Sequence, residues 1–266
     1  GALLSLYWQG QTLATAVVSG GVAVFTFPAL TNVGEMTITG TQFNYTPYQG
    51  SIQVTPSAGA FVINQLVTLD DSAGNNNQKA DYGESVAMNV TLSNVGVEIA
   101  NVTSATLSTQ DDQVYITDFN ETFGDLEAGQ AVEKPAAFAF TVVDDVTDGH
   151  VTLFTLTIQF NDNQTFTTQI PVVLQAPKLA VSNFLINDVT GGNGDGYLQS
   201  GETAIVSVFN LNNGHSASPL ATGQLISDSP WLTISPAQEV GVLGVAGAEN
   251  TASVVTVSPD APQLAP

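Results

Sequence analysis

Short runs of apolar and β-branched residues, alternating with polar ones and cut by glycine, proline and asparagine, set the pattern of this chain from Leu3 to Val257. Val86, Met88, Val90 and Leu92 alternate with Ala87, Asn89 and Thr91, and Phe154, Leu156, Ile158 and Phe160 keep the same period. A period of two sends one set of side chains to a buried face and the other toward solvent, which is the signature of a half-buried strand. Strands are predicted over 3–8, 12–18, 21–27, 35–43 and 50–55, with Gly10, Gly20-Gly21, Asn32 with Gly34, and Pro47 as hairpin interruptions. Seven more fall at 60–69, 85–93, 102–108, 113–118, 136–143, 151–160 and 165–174, and a last group at 179–186, 203–211, 219–226, 231–235 and 250–257. No stretch holds apolar residues at i, i+3, i+4 and i+7 free of Gly, Pro or β-branched crowding. The fold class is therefore all-β.

One pattern occurs twice, 118 positions apart. An acidic, Asn/Gly-rich loop runs from Asp70 to Glu84 and again from Asp188 to Glu202. Each leads into an apolar strand, an Asn-x-Gly turn at Asn94-Val95-Gly96 or Asn212-Asn213-Gly214, and then Leu107 or Leu225. A repeat of this length is too long for a solenoid unit and close to one small sandwich domain. The chain is thus read as tandem immunoglobulin-like β-sandwich modules over 1–56, 57–176 and 177–266, separated by Pro56-Ser57-Ala58-Gly59 and by Pro177-Lys178. The first is short for an independent sandwich, and is expected to lack its leading strand or strands. The third is expected to lack the counterparts of 151–160 and 165–174.

Composition narrows the function. Of the 266 residues, 43% are hydrophobic, which is enough for packed cores and argues against wholesale disorder. Lys79, Lys134 and Lys178 are the only cationic residues besides the two histidines, and 24 acids leave a formal net charge of −21. Such a surface repels phosphate backbones and anionic headgroups, so nucleic-acid binding and peripheral membrane attachment are disfavoured. Acidity also maintains solubility outside the cell. Cysteine is absent, which removes disulfides and a thiolate nucleophile from this stretch. No apolar run approaches the ~20 residues that span a bilayer, and a signal segment, if the protein is exported, is expected outside these residues.

The acidic loops carry the candidate chemistry. Asp188, Asn193, Asp195 and Glu202 offer hard oxygen ligands around glycine-permitted turns, and shifted back by 118 the same positions are Asp70, Asn75, Asn77 and Glu84. Alternating oxygen ligands of this kind suit a structural Ca²⁺ ion, which takes about six to eight of them. The spacing to Glu202 differs from an EF-hand and no flanking helices are predicted, so such a site would be a sandwich-loop site. The competing reading is that Asp, Asn and Gly are what long β-connections are made of, with Glu84 and Glu202 binding backbone amides.

Other candidates are weaker. His150 and His215 each sit beside a turn glycine with no second ligand or nucleophile, and are read as surface loop residues. The pairs Asp111-Asp112 and Asp144-Asp145 are read as turn acids, because adjacency in sequence does not make carboxylates converge on a cleft. Tyr7, Trp8, Phe43, Tyr45 and Tyr48 could form a stacking platform for a glycan, or fill alternating core and edge positions. Asn-x-Thr triplets starting at Asn89, Asn101, Asn120 and Asn163 would matter only in a eukaryotic secretory protein.

The stretches Gly1-Ala2-Leu3-Leu4-Ser5-Leu6, Gln9-Gly10-Gln11, Ala16-Val17-Val18-Ser19-Gly20-Gly21 and Thr37-Ile38-Thr39-Gly40-Thr41-Gln42-Phe43-Asn44-Tyr45-Thr46-Pro47-Tyr48 resemble the immunoglobulin-like domain that follows the catalytic domain of gingipain-type cysteine peptidases. The resemblance covers about the first 56 residues. The later modules resemble tandem immunoglobulin-like repeats of bacterial surface and secreted proteins. Asp195-Gly196 through Gly201-Glu202 fits their opening motif, whereas Asn77-Gln78 through Gly83-Glu84 departs from it at the second position. The resemblance implies a Bacteroidetes-type exported parent with a peptidase domain upstream of Gly1, holding the catalytic Cys and His. This chain would then be a non-catalytic region, extracellular or on the bacterial surface, that spaces the enzyme from the envelope or meets host protein or glycan. The alternatives are an adhesin-type binding array with no peptidase attached, and a carboxylate-based hydrolase within these residues.

Overall fold

The computed structural model describes residues 1–28, 30, 32–55 and 58–262, and every regular element among them is a strand. The expected all-β class and its immunoglobulin-like sandwiches are what the chain adopts. The expected boundary at Pro56-Ser57 lies outside the described residues, as does the C-terminal limit at Pro266.

The first sheet holds β1 (Leu3–Trp8), β2 (Gln11–Val17), β3 (Gly34–Thr41) and β4 (Tyr48–Val54) in the order β2-β1-β3-β4. Gln9 and Gly10 both have positive φ, 47° and 87°, the geometry that a two-residue hairpin needs to match strand twist. Leu6, Trp8 and Met36 are buried together, with Leu13, Phe25, Leu30, Ile38 and Val54 packed against them. The strand expected at 21–27 does not form. Ser19 and Val22 make one isolated bridge across Gly20 and Gly21, and the segment then runs unpaired with Phe25 against the core.

The next nine strands are β5 (Val62–Asp70), β6 (Ala80–Asp81), β7 (Ser85–Asn94), β8 (Ala100–Ser108), β9 (Val114–Asp118), β10 (Asn120–Leu126), β11 (Ala131–Val142), β12 (Val151–Phe160) and β13 (Gln164–Gln175). They form sheets of order β5-β7-β11-β9 and β10-β8-β12-β13-β6. The first plays the A-B-E-D role of an immunoglobulin sandwich and β8-β12-β13 the C-F-G role. Val86, Met88, Val90 and Leu92 are at most 1% exposed, as their alternation requires. Phe140 and Phe154 meet with ring centroids 4.9 Å apart, and Phe61 meets Phe166 edge-on at 5.4 Å. Burying each such ring contributes roughly 2–3 kcal/mol. The sequence pattern missed β10, because only Phe123 and Leu126 in Asn120–Leu126 are buried and Gly124, at φ 81°, breaks the register.

The last group comprises β14 (Leu179–Asn187), β15 (Thr203–Asn212), β16 (Ala221–Gly223), β17 (Leu232–Ile234), β18 (Gln238–Gly241) and β19 (Ala248–Val257). They form sheets of order β14-β15-β19-β17 and β16-β18. β18 was not expected and 219–226 shortens to three residues. The chain divides into two compact units, one of Gly1–Gln78, Val86–Phe140 and Leu153–Pro171, the other of Lys79–Ser85, Thr141–Thr152 and Val172–Pro266. No helix among the described residues is long and apolar enough to cross a membrane.

Candidate functional site

Each repeat is organised around one buried asparagine. Asn94 ends β7 and Asn212 ends β15, and they are 0% and 1% exposed. Asn94 Oδ1 accepts the amides of Phe61 at 3.1 Å and Gly96 at 3.0 Å, while Nδ2 donates to the carbonyls of Glu98 at 2.7 Å and Leu126 at 2.9 Å. Asn212 Oδ1 accepts the amides of Lys178 and Gly214, both at 3.0 Å, and Nδ2 donates to Ser216 O at 2.8 Å and Leu243 O at 3.0 Å. The side-chain amide thus uses two lone pairs and both protons, so neither asparagine buries a side-chain polar atom unpaired. Gly96 and Gly214 must lack a side chain, because a Cβ there would enter the main chain of Gly59–Phe61 or Ala176–Lys178. Sequence reasoning found the Asn-x-Gly turn but read its asparagine as an ordinary turn residue. Its position as the last residue of an apolar strand, repeated in both copies, was the available signal.

The acidic loops are built the same way. Asp188 is buried, 1% exposed, with Oδ2 accepting Gly194 N at 3.0 Å and Oδ1 accepting Gly196 N at 3.1 Å. Burial raises its pKa, but hydrogen bonds from main-chain amides, those of Gly196 and Gly194 among them, outweigh that and leave it below the ordinary carboxylate value. In the earlier copy these contacts belong to Asp71, also 1% exposed, whose Oδ2 accepts Asn77 N at 2.7 Å and Oδ1 accepts Gln78 N at 2.9 Å. The fixed offset of 118 had matched Asp70 to Asp188. Asp70 instead accepts Ser72 N at 3.0 Å, as Asn187 accepts Val189 N at 3.2 Å. Hydrogen bonds with Ser72, from its side chain first and then its amide, lower the Asp70 pKa. The offset is therefore 117 at the start of the loop and 118 from Asn75/Asn193 onward, where Asn77 N donates to Asn75 Oδ1 and Asp195 N to Asn193 Oδ1. The later loop has one extra residue, and Gly192 fits there because a Cβ would press on Glu202 and Asp188 at 2.9 and 3.0 Å.

Glu84 and Glu202 close their loops. Glu84 Oε2 accepts Asp81 N at 3.2 Å, and Glu202 Oε2 accepts Gln199 N at 3.0 Å while Oε1 accepts Asn193 N at 3.2 Å. Asp195 Oδ1 takes Tyr197 N at 2.9 Å, and its Oδ2 takes the side-chain amides of Asn193 at 3.1 Å and Gln199 at 2.6 Å. The structure thus gathers Asp188, Asn193, Asp195 and Glu202 in one hydrogen-bonded loop. Among the described residues, no three His, Cys, Asp or Glu side chains converge as a metal-binding group. What these carboxylates do in the structure is accept loop amides and hold a long connection in one shape.

His215 is exposed, and its Nδ1 lies 2.9 Å from Asp148 Oδ2, whose partner oxygen accepts Ala176 N at 3.1 Å and His215 N at 3.2 Å. Burial raises the Asp148 pKa, and the Ala176 amide and then His215 outweigh it, leaving it below the ordinary value. His150 exchanges main-chain hydrogen bonds with Leu174 and Thr147. Asp111 accepts Gln113 N at 3.0 Å and Asp112 accepts Gln113 Nε2 at 2.8 Å, so this pair folds a turn. The aromatics of the first sheet separate: Trp8 is core, while Phe43, Tyr45 and Tyr48 are 88%, 70% and 65% exposed around one turn.

Residues 1–55 match the peptidase family C25, C terminal ig-like domain. The likeness is confined to this stretch, β1 to β4, and says what kind of domain residues 1–55 resemble. No curated protein matches the chain at a significant level. Among solved structures, the secreted serine protease VesC from Vibrio cholerae aligns at 16% identity and TM-score 0.26, over 69% of this chain and 45% of that one. The chain thus spans less than half the length of that relative. A protein of unknown function from Porphyromonas gingivalis W83 aligns at 10% identity and TM-score 0.26, over 67% of this chain and 78% of that one. The major pilin subunit BcpA of Bacillus cereus aligns at 12% identity and TM-score 0.24, over 97% of this chain and 91% of that one.

Proposed function

We propose that this chain is the non-catalytic, extracellular region of a gingipain-type cysteine peptidase, spacing an upstream peptidase domain from the envelope with sandwiches whose loops are internally locked. The match of residues 1–55 to the C-terminal immunoglobulin-like domain of family C25 carries this reading. Two further observations support it. The 266 residues contain no cysteine to act as the family's nucleophile, and the carboxylates of the acidic loops are spent on main-chain amides. The reading is tested by the coding sequence upstream of Gly1. A Cys/His peptidase domain there supports it; a string of binding modules overturns it in favour of an adhesin. The exposed turn bearing Phe43, Tyr45 and Tyr48 is the observation that favours that second reading, with host protein or glycan as the partner.

Ca²⁺ is part of the proposal as a stiffening ion at Asp188, Asn193, Asp195 and Glu202, and more weakly at Asp70, Asn75, Asn77 and Glu84. Exposed Asp195, beside Asn193 and Glu202, is where a cation would compete with side-chain amides for oxygen. Thermal unfolding after EDTA treatment, with and without millimolar Ca²⁺ and with Mg²⁺ as control, decides it. A Ca²⁺-selective rise of several degrees that Glu202→Ala abolishes is the expected result, since binding to the native state alone stabilises it by mass action. An unchanged midpoint removes the ion from the proposal.

A further inference from the structure

The sequence holds two Asn-Gly bonds, Asn193-Gly194 in the later acidic loop and Asn213-Gly214 in the turn after β15. Asparagine is chemically least durable before glycine. The glycine amide nitrogen, which no side chain shields, loses its proton and attacks the asparagine Cγ. A five-membered succinimide closes, the side-chain nitrogen departs as ammonia with that proton, and water reopens the ring at either carbonyl to give aspartate or isoaspartate. Asn193 and Gly194 are both exposed, so water and hydroxide reach them. In the earlier loop the equivalent pair is Asn75-Asn76, which lacks the glycine.

Hydrogen bonds restrain both reacting groups of the first bond. Gly194 N, the nucleophile, donates to Oδ2 of buried Asp188 at 3.0 Å. A carboxylate in that place holds the proton away from solvent base and, by like-charge repulsion, disfavours the anionic nitrogen that the attack needs. The electrophile is held as well. Asn193 Oδ1 accepts Asp195 N at 2.9 Å, while Nδ2 donates to Asp195 Oδ2 at 3.1 Å and to Gln199 Oε1 at 3.2 Å. We propose that Asn193 is a deamidation site kept in check by Asp188, and that the loop is converted irreversibly when it opens for long enough to close the succinimide. Conversion removes the Nδ2 donor from Asp195 and Gln199 and sets a new negative charge beside Asp195 and Glu202. Isoaspartate also lengthens the main chain by one atom just before the two glycine amides that Asp188 accepts. Either product therefore disfavours the closed loop.

Asn213-Gly214 is an internal control. Gly214 is buried and its amide donates to the uncharged Asn212 Oδ1 at 3.0 Å, with no part for Asp188. The test incubates the full chain and Asp188→Ala at mildly alkaline pH in EDTA, so that no cation braces the loop, and follows both asparagines by peptide mapping and mass spectrometry. Expected is at least tenfold faster conversion of Asn193 in the variant, with Asn213 within about twofold of its parent rate. A variant that keeps the parent circular dichroism yet converts Asn193 no faster overturns the proposal, as does equal acceleration at Asn193 and Asn213. Should Asp188→Ala lose the parent circular dichroism, the parent chain in urea below its unfolding midpoint decides. There the Asn193 rate must rise in step with hydrogen exchange at the Gly194 amide, and a rate indifferent to that exchange overturns the proposal.

Discussion

Asn212 serves five main-chain groups from one side chain, the amides of Lys178 and Gly214 and the carbonyls of Ser216, Leu243 and Gly244. Replacing it with alanine leaves the amides of Lys178 and Gly214 and the carbonyls of Ser216 and Leu243 without those partners in the interior. Each unmade buried hydrogen bond costs about 1–3 kcal/mol, with partial relaxation expected. Asn212→Ala should therefore lower stability by about 3 kcal/mol in urea denaturation, while Asn213→Ala, at an exposed neighbour, should change it by less than about 0.5 kcal/mol. Equal effects would refute the hub role. Asn212→Asp should rank with alanine, because a carboxylate has no proton to give Ser216 and Leu243. None of this was legible from composition or periodicity, since such a contact depends on chain segments that meet only after folding.

Among elements, strands with one clean apolar face were readable and those held by registry or by a bulge were not. Val86–Leu92 and Phe154–Phe160 showed their period openly, whereas β10 and β18 carry few buried side chains and are fixed by pairing with β8 and β16. The acidic loops show the limit of a constant offset: one inserted residue moved the buried carboxylate from Asp70 to Asp71, and only the hydrogen bonds reveal it. The loop as an element therefore depends on Asp71. Asp71→Ala should speed hydrogen exchange at the Asn77 and Gln78 amides by at least tenfold, while Asp70→Ala should leave those two amides nearly unchanged. Equal protection in both variants would contradict the assignment.

For the molecule as a whole, 24 acids against three lysines make self-repulsion a standing cost, and Lys134 stands 3.7 Å from Glu121. Raising NaCl from about 10 mM to about 0.3 M shortens the Debye length from roughly 30 Å to under 10 Å. The unfolding midpoint should rise by a few degrees over that range, and a flat profile in differential scanning calorimetry would show that the charges are too far apart to matter. That fold class and repeat could be read from the sequence follows from their dependence on local period and turn residues.

The buried asparagines also decide how the chain answers a pull. Asn94 and Asn212 hold the polypeptide where it enters each repeat, at Phe61 and Lys178, beside further main-chain hydrogen bonds to Gly59 and Ala176. Tension drawn along the backbone meets this latch before it reaches the sheet behind it. Each repeat should therefore yield first at its entry when stretched, and Asn212→Ala should lower the force at which the second repeat opens in single-molecule pulling.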